Sequence, residues 1–455
     1  MKHRGFLILL MVSAGILPVA AQEVLRLNAD EAAALAIENN LNLKNTARDL
    51  EGSRRDWENV WNRFLPTINS SLTMNYQNRL FAETPPATSL PPTFSFLEPM
   101  FASPNPVTFV GNLSAELVIP SAIFTGIKVA KELYLTNQIS YDRARQDMER
   151  SVRKLFYGLM VTQAGLDLLE QNIATLERTY AQTRQHYNNG LVSELDLLQA
   201  QVGLETLRPN RNQINATLAE QMMLFKFLLG IDFETPVELV GALDVEITHF
   251  DASGLCARYL NERQDVRLAR QNVQMQDLLY QVERESRFMP SFILRGGWST
   301  TVNDPYNGDR WKSPTWQDQW SGSLTIALPL DNFIPHSSGY NSVQAKQDAL
   351  LTAQNNLDQA LRNGEMEIIN LVNKLENSAL LLEAYELNVA LAERAYRMSQ
   401  EAYRLGTREY LEVENVRNNL LKVQNDVLVE KFNYLSNLLD LEFALNASLS
   451  EIITE

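Results

Sequence analysis

The 455 residues suffice for a large core in one domain or two, and a composition that is 45% hydrophobic and 21% charged belongs to a folded chain rather than a disordered one. A formal charge of -15 argues against nucleic acid as a partner, because that ligand rewards basic patches, and it points to an acidic surface or lumen. The single cysteine, Cys256, excludes an intramolecular disulfide and reads as a small residue on an amphipathic helix, while four scattered histidines offer no metal-ligand spacing.

In chain order, MKHRGFLILLMVSAGILPVAAQ comes first: a basic start at Lys2, His3 and Arg4, an apolar run, then small residues at Val19, Ala20 and Ala21. That pattern predicts a secretory signal over 1–21 cleaved after Ala21, with no cysteine behind it to carry a lipid. No later stretch approaches the roughly 18 to 20 apolar residues of a membrane helix. An exported chain of this kind is periplasmic, secreted or part of a barrel.

The next segment, 22–228, begins with helices and then RFLPTINSSLTMNY, where Ile68, Leu72, Met74 and Tyr76 alternate with Asn69, Ser71, Thr73 and Asn75. A strand is expected over 66–77 and a partner over 107–118, where Phe109, Leu113 and Leu117 alternate with Asn112, Ser114 and Glu116. From Ala130 through Tyr141, Met148, Leu159, Leu169 and Leu176 to Tyr187, apolar residues recur in steps of three and four, or multiples of them. That seam predicts a helix over 121–187, about 100 Å long at about 1.5 Å per residue, built for packing rather than chemistry. The turn YNNGLVSELD follows, then a returning helix over 193–228 that Pro209 should kink or break.

A linker over 229–250, rich in Gly, Pro and β-branched residues, precedes a second segment, 251–446, that repeats the first. RFMPSFILRGGWST matches RFLPTINSSLTMNY, and YRLGTREYLE matches YNNGLVSELD, so that Tyr187, Gly190, Leu195 and Asp196 align with Tyr403, Gly406, Leu411 and Glu412. The second repeat should hold strands over 290–301 and 319–329, a long helix over 338–404 and a returning helix over 408–446, before a tail over 447–455. The Pro-rich and Trp-rich stretches between paired strands suit loops at one exposed end.

Strands of about ten residues, apolar on one face and polar on the other, have the length and pattern to cross a bilayer beside water, although a soluble sandwich would show the same alternation. Four strands cannot close a transmembrane barrel, and an open edge in lipid leaves backbone groups unsatisfied. Three copies would supply about twelve strands, enough for a channel.

On the RFLP and RFMP strand entries, the twin turns and the closing KFNYLSNLLDLEFALN, the mature chain resembles the TolC family of outer-membrane efflux and secretion ducts. The fold class this implies is mainly α with β: a long α-helical coiled-coil barrel plus four transmembrane strands per chain in a shared trimeric 12-stranded β-barrel, with an internal tandem repeat. The function implied is a passive outer-membrane exit duct for small molecules or polypeptides, gated at the periplasmic helix tips, without catalysis or cofactor. Its implied partners are two further copies of the chain, outer-membrane lipid, a periplasmic adaptor (membrane fusion) protein and an inner-membrane pump.

Carried over by position, the resemblance assigns gate contacts to Asp196, Tyr403, Arg408 and Lys431, and a pore constriction to Glu412 and Asn415. Adaptor docking falls on the tips, at Gly190, Leu191, Val192, Ser193, Gly406 and Thr407. The family usually places two acids at the constriction; Asn415 replaces one, leaving three ring carboxylates in a trimer and weaker cation block. Two alternatives stand beside the duct. A periplasmic helical adaptor would lack duplicated amphipathic strand pairs, and an exported enzyme would have to use Glu194 with Asp196 or Glu412 with Glu414, pairs two apart on a helix that do not face each other.

Overall fold

A computed structural model describes residues 24–76, 107–303, 316–405, 407–448 and 451–452. The expected signal segment, most of both strand-connecting loops, Gly406 and parts of the tail lie outside the described residues. The chain divides into two compact units, one of residues 1–45, 143–259 and 365–455, the other of 46–142 and 260–364.

The second unit is organised by a four-stranded antiparallel sheet of β2 (Thr67–Tyr76), β3 (Val107–Ile119), β5 (Ser291–Asn303) and β6 (Gln317–Ala327), in the order β2-β3-β5-β6. The strands start and stop within two residues of the sequence expectation. The pairing of β3 with β5, from Thr108 opposite Asn303 to Ile119 opposite Phe292, joins the two repeats at the middle of the sheet and leaves β2 and β6 as edges. Alternation puts Ile68, Leu72, Leu294, Trp320 and Leu324 on one face, all exposed, with Trp320 at 80% and Leu72 at 75%. Such a face is not covered by the chain's own core.

Helices enter and leave this sheet through specific polar ties. Ser121 donates to the Glu285 carbonyl at 2.8 Å and Thr125 to the Glu285 carboxylate at 2.7 Å, joining the start of α3 (Ile123–Asn188) to the end of α7 (Gln264–Phe288). Asn332, in a short 3-10 turn after β6, donates to the Arg287 carbonyl at 3.1 Å. Trp57, near the end of α2 (Leu41–Glu58), stacks on Tyr134 at 6.3 Å between centroids.

In the other unit, a two-stranded parallel ribbon pairs β1 (Leu25–Leu27) with β4 (Val237–Leu239), so the linker between repeats is tied to the first described residues. Leu27 of this ribbon joins Ala32, Ala36, Val152, Phe156, Leu159, Phe225 and Leu229 in one core, from α1 (Ala29–Asn39), α3 and α5 (Leu207–Leu229). A capping box at Asn28 and Glu31 starts α1. The unit also holds α6 (Ala252–Tyr259), much of α8 (Ser338–Arg404) and α9 (Tyr410–Leu445).

The first returning helix is two helices, α4 (Glu194–Glu205) and α5, meeting at Thr206. Pro209 is the third residue of α5. A proline there sacrifices no hydrogen bond, because the first-turn N–H groups have no intrahelical acceptor. The break precedes the proline instead of falling on it.

Gly230 ends α5 with φ of 67°, and its amide and that of Ile231 close onto the carbonyls of Phe227 and Lys226. A Cβ there would stand 2.9 Å from the Asn39 carbonyl oxygen. Gly230→Ala is expected to destabilise the protein by about 2 kcal/mol from the left-handed backbone alone, seen as a lower denaturation midpoint; an unchanged midpoint would contradict this cap.

Candidate functional site at the helix tips

The two hairpin tips are built by the same chemistry. At the first, Gly190 has φ of 72°, its amide bonds the Tyr187 carbonyl at 2.9 Å, and the Leu191 amide bonds the His186 carbonyl at 2.9 Å. That is a Schellman ending, which releases the chain from α3 and needs a residue tolerant of positive φ. At the second, the Thr407 amide makes the corresponding six-to-one bond to the Ala402 carbonyl at 3.0 Å, and the Thr407 hydroxyl donates to the same oxygen at 2.9 Å. Leu191, Ser193 and Thr407 are exposed and Val192 is half-buried.

Asp196 is committed first to its own helix. It is the third residue of α4, and Ser193 is the cap: the Ser193 amide and hydroxyl donate to Asp196 Oδ2 at 3.1 and 2.7 Å, and the Asp196 amide donates to Ser193 Oγ at 3.2 Å. Oδ1 takes part in none of these bonds. Tyr403 is near enough to feel that carboxylate. Burial pushes its hydroxyl pKa up, a hydrogen bond with Thr183 works the other way, and the Asp196 charge adds to the rise.

Arg408 does not reach Asp196 within the chain. Its Nη1 lies 3.0 Å from Glu412 Oε2, an i,i+4 pair with both side chains about half exposed. Glu412 and Asn415 are both exposed and three residues apart, hence on one face of α9. Lys431, half-buried, is 19 residues beyond Glu412, roughly 28 Å along the helix, so it stands apart from the tip cluster.

Sequence reasoning missed a buried polar cluster just behind the tip. Tyr410 is 2% exposed and its ring meets Tyr403 edge-on at 5.8 Å. Arg417 is 6% exposed; its Nη2 lies 3.4 Å from Glu414 Oε1 and donates to Asn418 Oδ1 at 3.1 Å. Gly203 on α4 faces this carboxylate so closely that a Cβ would come 2.6 Å from Glu414 Oε1. The Tyr410 hydroxyl and Arg417 Nε are buried without hydrogen-bond partners. The signal for this cluster was positional: Tyr410, Val413, Arg417 and Leu420 follow the three-and-four spacing of a seam, which puts an arginine on the packed face. The two acid pairs weighed as catalytic do not converge, since Glu412 turns to Arg408, Glu414 to Arg417 and Asp196 to Ser193.

A duplicated hairpin with capped tips and a two-faced open sheet describes one part of a duct. The sequence matches the family described as outer membrane efflux protein over residues 32–230 and 255–447. The chain is 22% identical over 353 residues to the outer membrane protein TolC of Vibrio cholerae, covering 75% of this chain and 76% of that one. It is 22% identical over 342 residues to the probable efflux pump outer membrane protein TtgC of Pseudomonas putida, covering 72% and 67%. Its fold matches the crystal structure of the Campylobacter jejuni CmeC outer membrane channel with a TM-score of 0.76 at 17% identity, over 92% of this chain and 85% of that one. The chain therefore belongs to the outer membrane efflux protein family, and it is an outer-membrane efflux duct. That membership sets aside the adaptor alternative.

Burial, followed by the nearby Glu414 charge, pushes the Tyr410 hydroxyl up to about 12 from 10.0, with Arg417 opposing. A group whose folded pKa is raised contributes stability below its unfolded value and loses it as pH climbs through the folded one. Stability should thus fall between pH 10 and about 12, and Tyr410→Phe should flatten that fall in an alkaline series of denaturation midpoints. Identical slopes in both proteins would contradict the burial of this hydroxyl.

Proposed function

We propose that three copies of the chain close one twelve-stranded barrel in the outer membrane and extend their helices into the periplasm as a common tunnel. The signal over 1–21 directs export. A periplasmic adaptor docks on the tips, at Gly190, Leu191, Val192, Ser193, Gly406 and Thr407, and an inner-membrane pump delivers small molecules or polypeptides for passive release. No cofactor and no catalytic step enter this account.

The observation that carries the reading is a sheet with one broadly exposed apolar face and two edges, β2 and β6, that no other described strand covers. In lipid such edges must be paired, and copies arranged head to tail in a ring pair them all. An exposed apolar stripe on α8 supports the same arrangement. Met366, Leu380, Leu387, Leu391 and Met398 are each more than half exposed at steps of fourteen, seven, four and seven, the repeat of a coiled-coil seam awaiting a neighbour.

The closed state is held at the tips. Across copies, Asp196 Oδ1 and the remaining Arg408 donors are suited to a charge-assisted hydrogen bond, with Tyr403 beside them and Lys431 as a further basic contact deeper in the tunnel. Glu412 and Asn415 form the constriction, with one carboxylate per copy and correspondingly modest cation block.

Planar-bilayer recording of the mature protein and its Arg408→Ala variant tests this function. Losing a hydrogen bond worth about 1.5–3 kcal/mol should favour the open tip roughly ten-fold or more, raising the current per channel. Equal conductance would remove Arg408 from the gate, and absence of stepwise current from the unaltered protein would overturn the duct.

A further inference from the structure

The strand register determines what the water-facing side of the sheet presents. Residues on that face are threonine, serine, asparagine and glutamine for most of its length, with a few small or apolar ones. Among the described strand residues, the only charged side chains on it are Glu116 and Arg295, and they stand directly opposite each other. Arg295 Nε lies 3.0 Å from Glu116 Oε2, and Nη2 lies 3.2 Å from Oε1, a two-pronged pair with both side chains open to solvent. Their lateral neighbours in the same row, Thr67 and Ser323, are uncharged. The pair sits toward the end of the sheet from which α3 leaves and at which α7 arrives.

This neutrality contrasts with the rest of the molecule. The chain carries 55 acidic against 40 basic residues, yet the described polar face of the strands holds none of that excess. An exposed cross-strand pair of this kind is screened by solvent and adds little to stability, too little to be its main consequence in a sheet of this size. Its larger effect is on the field in the bore. Two opposite charges held 3 Å apart cancel within a few ångströms of the wall, whereas either one alone would be repeated by every copy as a ring of like charge.

The geometry points to Glu116 and Arg295 as the residues that set the charge preference of the barrel bore, paired so that the bore has none. The inference rests on the shared barrel proposed above. It assigns the described strand wall of the barrel no role in sorting cargo by charge: anionic, cationic and neutral solutes meet the same hydroxyl- and amide-lined surface. Any ion preference of the whole channel then comes from residues outside this wall, such as Glu412.

Reversal potentials across a potassium chloride gradient test it, using the full channel, Glu116→Gln, Arg295→Gln and the double variant. The salt should be kept near 10 mM, where the screening length is about 30 Å. Glu116→Gln leaves a ring of guanidinium groups and should shift the permeability ratio toward chloride by roughly two-fold or more, while Arg295→Gln should shift it similarly toward potassium. The double variant should return to the value of the unaltered protein, and both shifts should collapse near 1 M salt, where screening acts within about 3 Å. Single variants that conduct with unaltered reversal potentials would overturn the inference and leave the duct standing. Single variants that lose current while the double variant conducts would also overturn it, because the pair would then be holding the sheet together. Absence of current from the unaltered protein would instead strike the shared barrel itself.

Discussion

Unmade backbone hydrogen bonds govern this molecule. Each chain folds its strands into a four-stranded sheet whose outer edges, on β2 and β6, have no partner among the described residues. In water such edges are a liability; in a bilayer they are untenable, since every N–H and C=O needs a protein partner there. The tandem repeat makes the requirement soluble. Because β3 of one repeat pairs with β5 of the other along twelve residue pairs, each chain delivers one continuous four-stranded segment with two open edges. A ring of such segments has no edge left.

The same duplication supplies two helical hairpins per chain, and their local chemistry divides into fixed and adjustable parts. Behind the tip, Arg417 is buried and its partner Glu414, 16% exposed, lies against Gly203, so this pair is held where α9 meets α4. At the tip, Arg408 and Glu412 are about half exposed, and a pair of that kind contributes less than about 1 kcal/mol. Arg408 can therefore exchange Glu412 for another carboxylate at little expense, whereas parting α9 from α4 would undo the close approach of the Glu414 carboxylate to Gly203. In the gate proposed above, movement would fall on the last turns of the helices. Asp196 bridges the two regimes, capping α4 through one oxygen while its charge reaches Tyr403.

Much of this was legible in the sequence because its patterns are long. The bounds expected for the second long helix, 338–404, are those observed, since a long seam uninterrupted by proline leaves few alternatives. Strand positions followed from alternation that only one register satisfies. What was not legible depended on contacts remote in sequence. The ribbon between β1 and β4 joins three-residue segments that carry no periodic signal of their own. The break at Thr206 was displaced from Pro209 because a proline signals a helix's first turn as readily as its disruption. At the tip, the proposed gate residues came from family resemblance, whereas the Arg408 and Glu412 pairing was readable from its i,i+4 spacing. Burial of Arg417 is marked only by its seam position, because a charged side chain adds nothing to the apolar pattern around it.

The measurement that bears most directly on the central constraint is the mass of the mature protein extracted in mild detergent, by native mass spectrometry. Closure of the sheet edges by neighbouring copies predicts a single species of three chains that persists on dilution. A monomer that remains folded, with its strands intact by circular dichroism, would contradict the account, because the edges of β2 and β6 would then be satisfied without a second chain.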